Sequence, residues 1–284
     1  MAGPGALAGA ALGMTDTGWV ERGTGERIWW QALGHGRPAL VLVMGLGCGS
    51  AMWFRIAPAL AARRRVILLD NRGVGRTQVR RALVHRIPTM ADDVAAVLDA
   101  AGETGPVDVV GFSLGGMIAQ QFVLSHPGQT RRLALLATHG GAMGSVKAQS
   151  QVLQLLFSKH RNTPAEALEL MRPHVYAAAT PADVIAADHA VRLATPCDPR
   201  DHAAQLYGLM GWSGWHHLGA IAAPTLVVHG DEDALIPPEN GRMLAERIRG
   251  ARYVELKSAS HWVMTDQTTA ILSLLDEHFG SASP

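Results

Sequence analysis

The sequence predicts an α/β protein with a doubly wound, mostly parallel sheet and a helical cap inserted into it. Short apolar runs alternate along the chain with amphipathic helical windows, which is typical of parallel sheets wound with helices. Most of these runs are continuously apolar, as expected for strands buried on both faces. The alternation stops once, over residues 144–215, where helix signals occur without a convincing strand.

The predicted strands are bounded by glycine or proline and number seven: Arg27–Ala32, Ala39–Val43, Val66–Leu69, Val107–Val110, Leu133–Leu136, Thr225–His229 and Tyr253–Leu256. The helical windows between and after them are Pro88–Ala101, Leu114–Ser125, Asn240–Ile248 and Thr268–His278. Pro88–Ala101 carries an apolar stripe at Met90, Val94, Val97 and Leu98. The alternation of strands and helices predicts a parallel sheet with helices on both faces.

We divide the chain into three parts. Residues 1–18 are predicted to be a disordered tail, because residues 1–15 are rich in alanine and glycine and lack the basic region of a signal peptide. Residues 19–143 and 216–284 form the predicted core, and residues 144–215 form the predicted cap. The candidate cap helices are Val146–His160, Thr163–Met171, Pro181–Ala194 and Pro199–Met210.

The composition narrows the possible functions. Of 284 residues, 48% are hydrophobic and 17% are charged, which excludes disorder for most of the chain. The net charge of +1 does not indicate the basic surface that nucleic-acid binding requires. No apolar run is long enough to cross a membrane. Cys48 and Cys197 fit neither a disulfide framework nor a metal motif. We expect a cytoplasmic protein without nucleic-acid, membrane or metal partners; the oligomeric state stays open.

One short motif predicts the chemistry. The apolar strand ending at Val110 is followed by Gly111-Phe-Ser-Leu-Gly115 and then by a helix. In this context a Gly-x-Ser-x-Gly turn holds its serine at a strained strand-to-helix junction, and side chains at the flanking glycines would collide with neighbouring backbone. Ser113 is therefore the predicted nucleophile.

A serine nucleophile needs a histidine base and usually an acid that orients it, here in the chain order serine, acid, histidine. Two histidines follow the last buried strand, and His261 is the predicted base because His278 lies among charged residues of the final helix. Asp233 is the predicted acid, in a loop that follows another buried strand. Asp231 and Glu232 in the same loop remain alternatives.

Acyl transfer also needs two backbone N–H groups that point at the developing oxyanion. One belongs to Leu114, the residue after the nucleophile. The second is predicted at Leu46, in the glycine-rich loop Met44–Gly49, since glycines let the backbone approach a substrate closely. The loop lacks a phosphate-binding motif, and no cofactor is predicted.

These motifs, taken in order, resemble the α/β-hydrolase superfamily over about residues 20–280. The segments that carry the likeness are Met44–Gly47, Asp70–Thr77, Gly111–Gly116, Gly230–Pro237 and Ser260–Trp262. The nearest likeness is to small capped members: carboxylesterases, enol-lactonases, cofactor-free haloperoxidase-like enzymes and methylesterases of aromatic polyketide pathways. The resemblance implies the α/β-hydrolase fold, with its cap inserted after the sixth strand.

For individual residues, the resemblance implies a triad of Ser113, Asp233 and His261, with Leu46 and Leu114 as oxyanion donors. Family dehalogenases and epoxide hydrolases carry aspartate at the elbow, so the serine argues against both.

The chain departs from the family pattern at two positions. Met44 replaces the histidine that normally braces the oxyanion loop, and Ser260 replaces the usual glycine before the catalytic histidine. The turn that contains Asp70 and Arg72 resembles the family's structural loop, and we expect these two residues to hold it together rather than to react.

Several residues flank the predicted site in sequence. The candidates for a substrate pocket are Trp53, His139, Trp212, Trp215 and Trp262, and the cap adds Met171, Leu209 and Met210. Such a lining suits a hydrophobic or aromatic acyl group. The alternative is that the tryptophans only bury area between cap and core.

The sequence thus predicts a serine hydrolase that cleaves small hydrophobic or aromatic carboxylic esters, or lactones and thioesters, through an acyl-enzyme on Ser113. The alternative hypothesis is non-hydrolytic or C–C bond chemistry on the same triad in a biosynthetic pathway, as in a lyase, cyclase or perhydrolase. A ligand-binding pseudoenzyme is a third class, and the intact set of triad residues argues against it.

Overall fold

The computed structural model describes residues 14–23, 25–158, 163–195 and 197–280. Within these residues, eight strands form one sheet in the order β1-β2-β4-β3-β5-β6-β7-β8. The strands are β1 Met14–Arg22, β2 Glu26–Leu33, β3 Leu40–Val43, β4 Val66–Leu69, β5 Val107–Phe112, β6 Thr130–Leu136, β7 Thr225–Gly230 and β8 Arg252–Leu256. Strands β3 to β8 run parallel, and β1 and β2 pair antiparallel, so the predicted fold class is confirmed.

Helices cover both faces of the sheet. The α-helices are α1 Ala57–Ala61, α2 Ile87–Ala100, α3 Leu114–Ser125, α4 Ser150–Ser158, α5 Pro164–Val175, α6 Ala182–Leu193, α7 Pro199–Met210, α8 Glu239–Arg247, α9 Val263–Asp266 and α10 Thr268–Phe279. Two 3-10 helices, Ser50–Arg55 and Trp215–Ala220, complete the set for the described residues.

The continuous apolar runs are explained by this two-sided cover. In β3, Val41 and Val43 join the buried cluster on one face, whereas Leu40 and Leu42 join the cluster on the other. Successive side chains of a strand point to opposite faces, so a strand covered on both sides has no polar face.

The predicted tail is wrong for residues 14–18, which belong to β1. This strand pairs antiparallel with β2, from Met14 opposite Leu33 to Arg22 opposite Glu26. Most of its side chains are exposed, and the strand is held by backbone pairing. An apolar pattern in the sequence therefore does not predict it. Residues 1–13 of the predicted tail lie outside the described residues.

Helices α4 to α7 lie between β6 and β7, in the segment from residue 144 to 215 that we call the cap segment. The predicted first helix, Val146–His160, begins later at Ser150, and its last two residues lie outside the described residues. The predicted start of α5 is present as a capping box, in which Thr163 and Glu166 bond each other's backbone N–H.

Candidate active site

Ser113 lies at the junction between β5 and α3. Its backbone has φ 54° and ψ −120°, a conformation that L-residues rarely adopt. Two hydrogen bonds fix it: its N–H donates to the Leu136 carbonyl at 2.9 Å, and the Thr138 hydroxyl donates to its carbonyl at 2.7 Å. Such strain persists only where the surroundings over-determine the backbone, and here it presents the serine side chain above the sheet.

Glycines on both sides of Ser113 make this turn possible. A Cβ on Gly111 would lie 2.4 Å from the Gly115 carbonyl oxygen, and one on Gly115 would lie 2.0 Å from the Val43 carbonyl oxygen. Both distances are far below van der Waals contact, and the obstacle in each case is backbone. The spacing of the motif is thus a steric requirement of the turn.

Ser113, His261 and Asp233 come together across the ends of three strands. His261 Nε2 lies 3.0 Å from Ser113 Oγ, and His261 Nδ1 lies 2.8 Å from Asp233 Oδ2. The other carboxylate oxygen, Asp233 Oδ1, accepts the N–H groups of Leu235 at 3.0 Å and Ile236 at 2.8 Å. A carboxylate held in this way accepts a hydrogen bond from the Nδ1–H of His261, so His261 presents the lone pair of Nε2 to the serine.

The other carboxylates and histidine considered from the sequence lie elsewhere. Asp231 pairs with the Lys257 ammonium at 3.3 Å, and Glu232 accepts the N–H of Ala178 at 2.9 Å. His278 Nε2 lies 3.0 Å from the carbonyl of Leu133 in β6. These side chains are engaged in structural contacts away from Ser113.

His229, which the sequence did not predict as a site residue, lies behind Asp233, the predicted acid. Its Nε2 is 2.9 Å from the Ile236 carbonyl oxygen and 3.6 Å from Asp233 Oδ2. Burial lowers the pKa of His229, so the ring is neutral near pH 7 and donates its Nε2 proton to Ile236. Its position in β7, four residues before the acid, is the signal that could have identified it.

The predicted oxyanion loop lies directly beside Ser113. A Cβ on Gly45 would lie 3.1 Å from Ser113 Cβ, so the loop approaches the serine as closely as a glycine allows. Leu46 and Leu114 both line the same cavity as Ser113. Their N–H groups are the donors that the sequence predicts.

The loop is braced without the family's histidine. Met44 is fully buried, and its carbonyl accepts the Asn71 amide at 2.8 Å. Gln205, from cap helix α7, accepts the N–H of Gly47 at 2.8 Å and donates to the carbonyl of Arg72 at 2.6 Å. The brace therefore comes from one core side chain and one cap side chain, neither of which the sequence analysis identified.

The turn at residues 70–77 has the structural role expected of it. Asp70 Oδ1 accepts both the N–H and the hydroxyl of Ser50 at 2.7 Å, and Asp70 Oδ2 accepts the N–H of Arg76 at 2.9 Å. Arg72 pairs with the buried Asp93 at 2.5 Å.

A cavity of about 430 Å³ opens above Ser113 and His261. Of the predicted pocket residues, His139 and Trp262 line it, together with the cap residues Met171, Leu209 and Met210. Further aliphatic cap side chains complete much of the wall: Leu153, Leu156, Leu168 and Val175. Two basic residues that the sequence analysis did not name, Lys147 and Arg192, also contribute to it.

The pocket prediction is wrong for Trp53, Trp212 and Trp215. Trp53 is fully buried beneath the site, edge-on to Phe112 with ring centroids 6.4 Å apart. Trp212 packs in the core, and its indole N–H donates to Gln121 at 2.7 Å. Trp215 lies under the Arg247 guanidinium, 4.3 Å from the ring centroid. Trp53 and Trp212 belong to the buried core clusters and Trp215 packs against one of them, so these rings bury area in the core and do not line the cavity.

Within the described ranges, His, Cys, Asp and Glu side chains form no group of three or more that could hold a metal ion. The helices that the structure describes include none that is long and apolar enough to cross a membrane.

Comparison with known proteins identifies the family. The model of the alpha/beta hydrolase fold matches residues 38–268, and the chain therefore belongs to the α/β-hydrolase family. The chain is 34% identical over 214 residues to a poly(3-hydroxyalkanoate) depolymerase of Ectopseudomonas oleovorans, covering 75% of this chain and 74% of that protein. It is 29% identical to a pimeloyl-[acyl-carrier protein] methyl ester esterase of Aeromonas hydrophila subsp. hydrophila, covering 85% and 95%.

Among solved structures, a thermophilic esterase from Thermogutta terrifontis matches with a TM-score of 0.79 and 25% identity, covering 93% of this chain and 97% of that one. The predicted family resemblance is thereby confirmed, and its relatives are esterases and other hydrolases.

Proposed function

We propose that this protein is a serine hydrolase that cleaves carboxylic esters through an acyl-enzyme on Ser113. The observation that carries the proposal is the continuous hydrogen-bonded chain from Ser113 through His261 to Asp233 at the base of an apolar cavity. The proposed substrates are small esters with hydrophobic or aromatic groups, because most of the cavity wall is aliphatic or aromatic.

Acylation begins when Ser113 Oγ attacks the ester carbonyl carbon. The hydroxyl proton moves to His261 Nε2, and Asp233 stabilises the imidazolium that forms. The N–H groups of Leu46 and Leu114 donate to the oxyanion of the tetrahedral intermediate. The bond from the carbonyl carbon to the alcohol oxygen then breaks, and His261 returns the proton to the departing alcohol.

Deacylation repeats these steps with water. His261 Nε2 takes a proton from the water as its oxygen attacks the acyl carbon, and the same two N–H groups stabilise the second oxyanion. The bond to Ser113 Oγ breaks, the serine regains its proton from His261, and the carboxylic acid leaves. A lactone follows the same steps, but its leaving alcohol oxygen stays attached to the acyl chain and the product is a hydroxy acid. In a thioester the bond from the carbonyl carbon to sulfur breaks and the thiol leaves.

The relatives support ester cleavage as the reaction class. The methyl ester esterase at 29% identity and the esterase structure at 25% identity carry this activity in their names, and the depolymerase at 34% identity is named for a poly(3-hydroxyalkanoate).

Substitution Ser113→Ala tests the proposal. Wild-type protein should hydrolyse p-nitrophenyl esters of graded acyl length with a burst of one p-nitrophenol per active site, and the variant should lose at least about 10³-fold in kcat. Alanine tolerates the backbone as serine does, so the thermal unfolding midpoint of the variant should match wild type. Undiminished ester hydrolysis by a folded Ser113→Ala protein would overturn the assignment.

Fluorophosphonate labelling separates this proposal from the alternative of non-hydrolytic or C–C bond chemistry. Stoichiometric labelling of Ser113 together with ester turnover supports the esterase. Labelling without turnover of any ester in the panel would favour the alternative.

A further inference from the structure

His139 is a polar side chain on the wall of a largely apolar cavity. It follows β6, and the preceding residue, Thr138, donates its hydroxyl to the carbonyl of Ser113 at 2.7 Å. His139 is therefore next in the chain to a residue that touches the nucleophile, and it lines the same cavity as Ser113 and His261. The proposed acyl-transfer steps give it no role.

The loop after His139 fixes the orientation of its ring. The N–H of Gly141 donates to His139 Nδ1 at 3.0 Å. Gly141 is itself locked against the end of the cap segment: its φ is 104°, and a Cβ there would lie 2.3 Å from Ser213 Cα. Backbone hydrogen bonds on either side tie the loop down, from Ala142 N–H to the Trp212 carbonyl at 3.1 Å and from Gly214 N–H to the Gly140 carbonyl at 3.0 Å.

This hydrogen bond also settles which ring nitrogen carries the proton. The Gly141 carbonyl lies 3.2 Å from Nδ1, but the Gly141 N–H is closer and can only donate, so Nδ1 acts as an acceptor. Burial lowers the pKa of His139 to about 4, and the neutral ring therefore carries its proton on Nε2. In the part of the chain that the structure describes, Nε2 has no hydrogen-bond partner.

We propose that His139 binds the substrate, donating its Nε2 proton to a second oxygen of the ester, such as an ether, hydroxyl or carbonyl oxygen close to the scissile bond. The inference rests on the proposed esterase function and narrows its substrates to oxygenated aliphatic esters. A neutral ring N–H can donate to an ether, hydroxyl or carbonyl oxygen, whereas the aliphatic cap residues contact the alkyl part of the substrate.

Matched ester pairs that differ only by oxygen against methylene test this assignment. The acyl arm compares p-nitrophenyl 3-methoxypropanoate with p-nitrophenyl pentanoate. The alcohol arm compares 2-methoxyethyl butanoate with butyl butanoate, followed by release of acid. For each pair, kcat/KM for the oxygenated ester is divided by kcat/KM for its methylene counterpart. This ratio in a variant is then divided by the same ratio in wild type, so that the intrinsic reactivity of the esters cancels. The arm in which the ratio changes locates the second oxygen.

Two substitutions separate the donor from the loop. His139→Phe removes both ring nitrogens, whereas the shorter His139→Asn can still accept the Gly141 N–H through its side-chain oxygen but withdraws the donor from the cavity. In both variants we expect the preference for the oxygenated ester to fall about tenfold in one arm. The exposed His216, replaced by glutamine, should leave both ratios unchanged.

Unchanged ratios in both His139 variants would overturn the inference, and so would a loss confined to His139→Phe, because that result assigns the effect to the loop. Wild-type protein that hydrolyses none of the four esters would overturn the proposed function itself. Hydrolysis of all four with unchanged ratios would overturn only the role of His139.

Discussion

Asp231 and Asp233 lie two residues apart in one loop but have different surroundings. The side chain of Asp233 is fully buried, and three hydrogen bonds, from His261 and two backbone N–H groups, point at its carboxylate. Asp231 is partly exposed and pairs with Lys257, whose side chain is 80% exposed. A carboxylate orients a histidine only where its own position is fixed, which favours Asp233 as the acid.

Asp233→Asn should lower kcat/KM for p-nitrophenyl esters by about 10³- to 10⁴-fold, because an amide does not hold His261 in the tautomer that accepts the serine proton. Asp231→Asn is the matched control, and its exposed ion pair contributes little, so its kcat/KM should stay within about twofold of wild type. Loss of activity in the Asp231 variant with retention in the Asp233 variant would reassign the acid.

At the level of elements, the junction of β5 and α3 depends on glycine. In Gly115→Ala the new Cβ would lie 2.0 Å from the Val43 carbonyl oxygen and 2.8 Å from the Met44 carbonyl oxygen, and both obstacles are backbone rather than flexible side chain. We expect the free energy of unfolding in urea to fall by about 3 kcal/mol or more. Gly105→Ala is the control, since no atom lies within 4 Å of its Cβ, and its stability should change by less than about 0.5 kcal/mol. Equal stability of the two variants would contradict the steric explanation.

Helix α7 and the oxyanion loop are joined through Gln205. Replacement by leucine leaves the Gly47 N–H and the Arg72 carbonyl without partners in a buried site. We expect the free energy of unfolding to fall by about 2 kcal/mol or more and kcat for esters to fall about tenfold, because the loop carries the Leu46 N–H.

Gln154→Leu is the control for this prediction, because Gln154 is an exposed residue of cap helix α4. Loss of stability in the Gln205 variant with wild-type kcat would show that the brace supports the fold but does not position the oxyanion donors.

At the level of the whole molecule, buried neutral histidines link stability to pH. Burial lowers the pKa of His139 to about 4 and also lowers that of His229. The unfolded chain binds protons at these residues near the ordinary pKa of about 6.5, so between that value and the lowered one it holds more protons than the folded chain. Stability therefore falls as the pH decreases through this window.

Thermal unfolding midpoints at pH 7 and pH 5 measure this effect. The decrease between the two values should be smaller in His139→Asn than in wild type, whereas the exposed His216→Gln should show the wild-type decrease. Identical decreases in all three proteins would contradict a neutral His139 in the folded state. The decrease in the unfolding midpoint is compared between proteins because carboxylates also titrate and contribute to the decrease in all of them.

Local sequence predicts the features that depend on neighbours in the chain. The elbow around Ser113 could be recognised because strand, glycines and helix are contiguous, and Asp233 and His261 could be chosen because each follows a run that predicts a strand, although the strand before His261 is a half-buried edge strand. Strand β1 could not, since an exposed edge strand is held by backbone pairing. Trp53 was misplaced for a related reason: closeness in sequence to the oxyanion loop does not say whether a side chain points up into the cavity or down into the core.

The sequence by itself determined the doubly wound sheet, the family and the residues proposed as nucleophile, acid and base. It could do so because strand burial and the steric requirements of a turn depend on residues that are adjacent in the chain. Only the tertiary structure decided how the predicted oxyanion loop is held, by Gln205 from the cap and by Asn71 at the Met44 carbonyl, and that Trp53 lies in the core and not in the cavity wall. These contacts join segments that meet only when strands and helices pack together, and the packing of side chains that lie far apart in the chain leaves no local pattern.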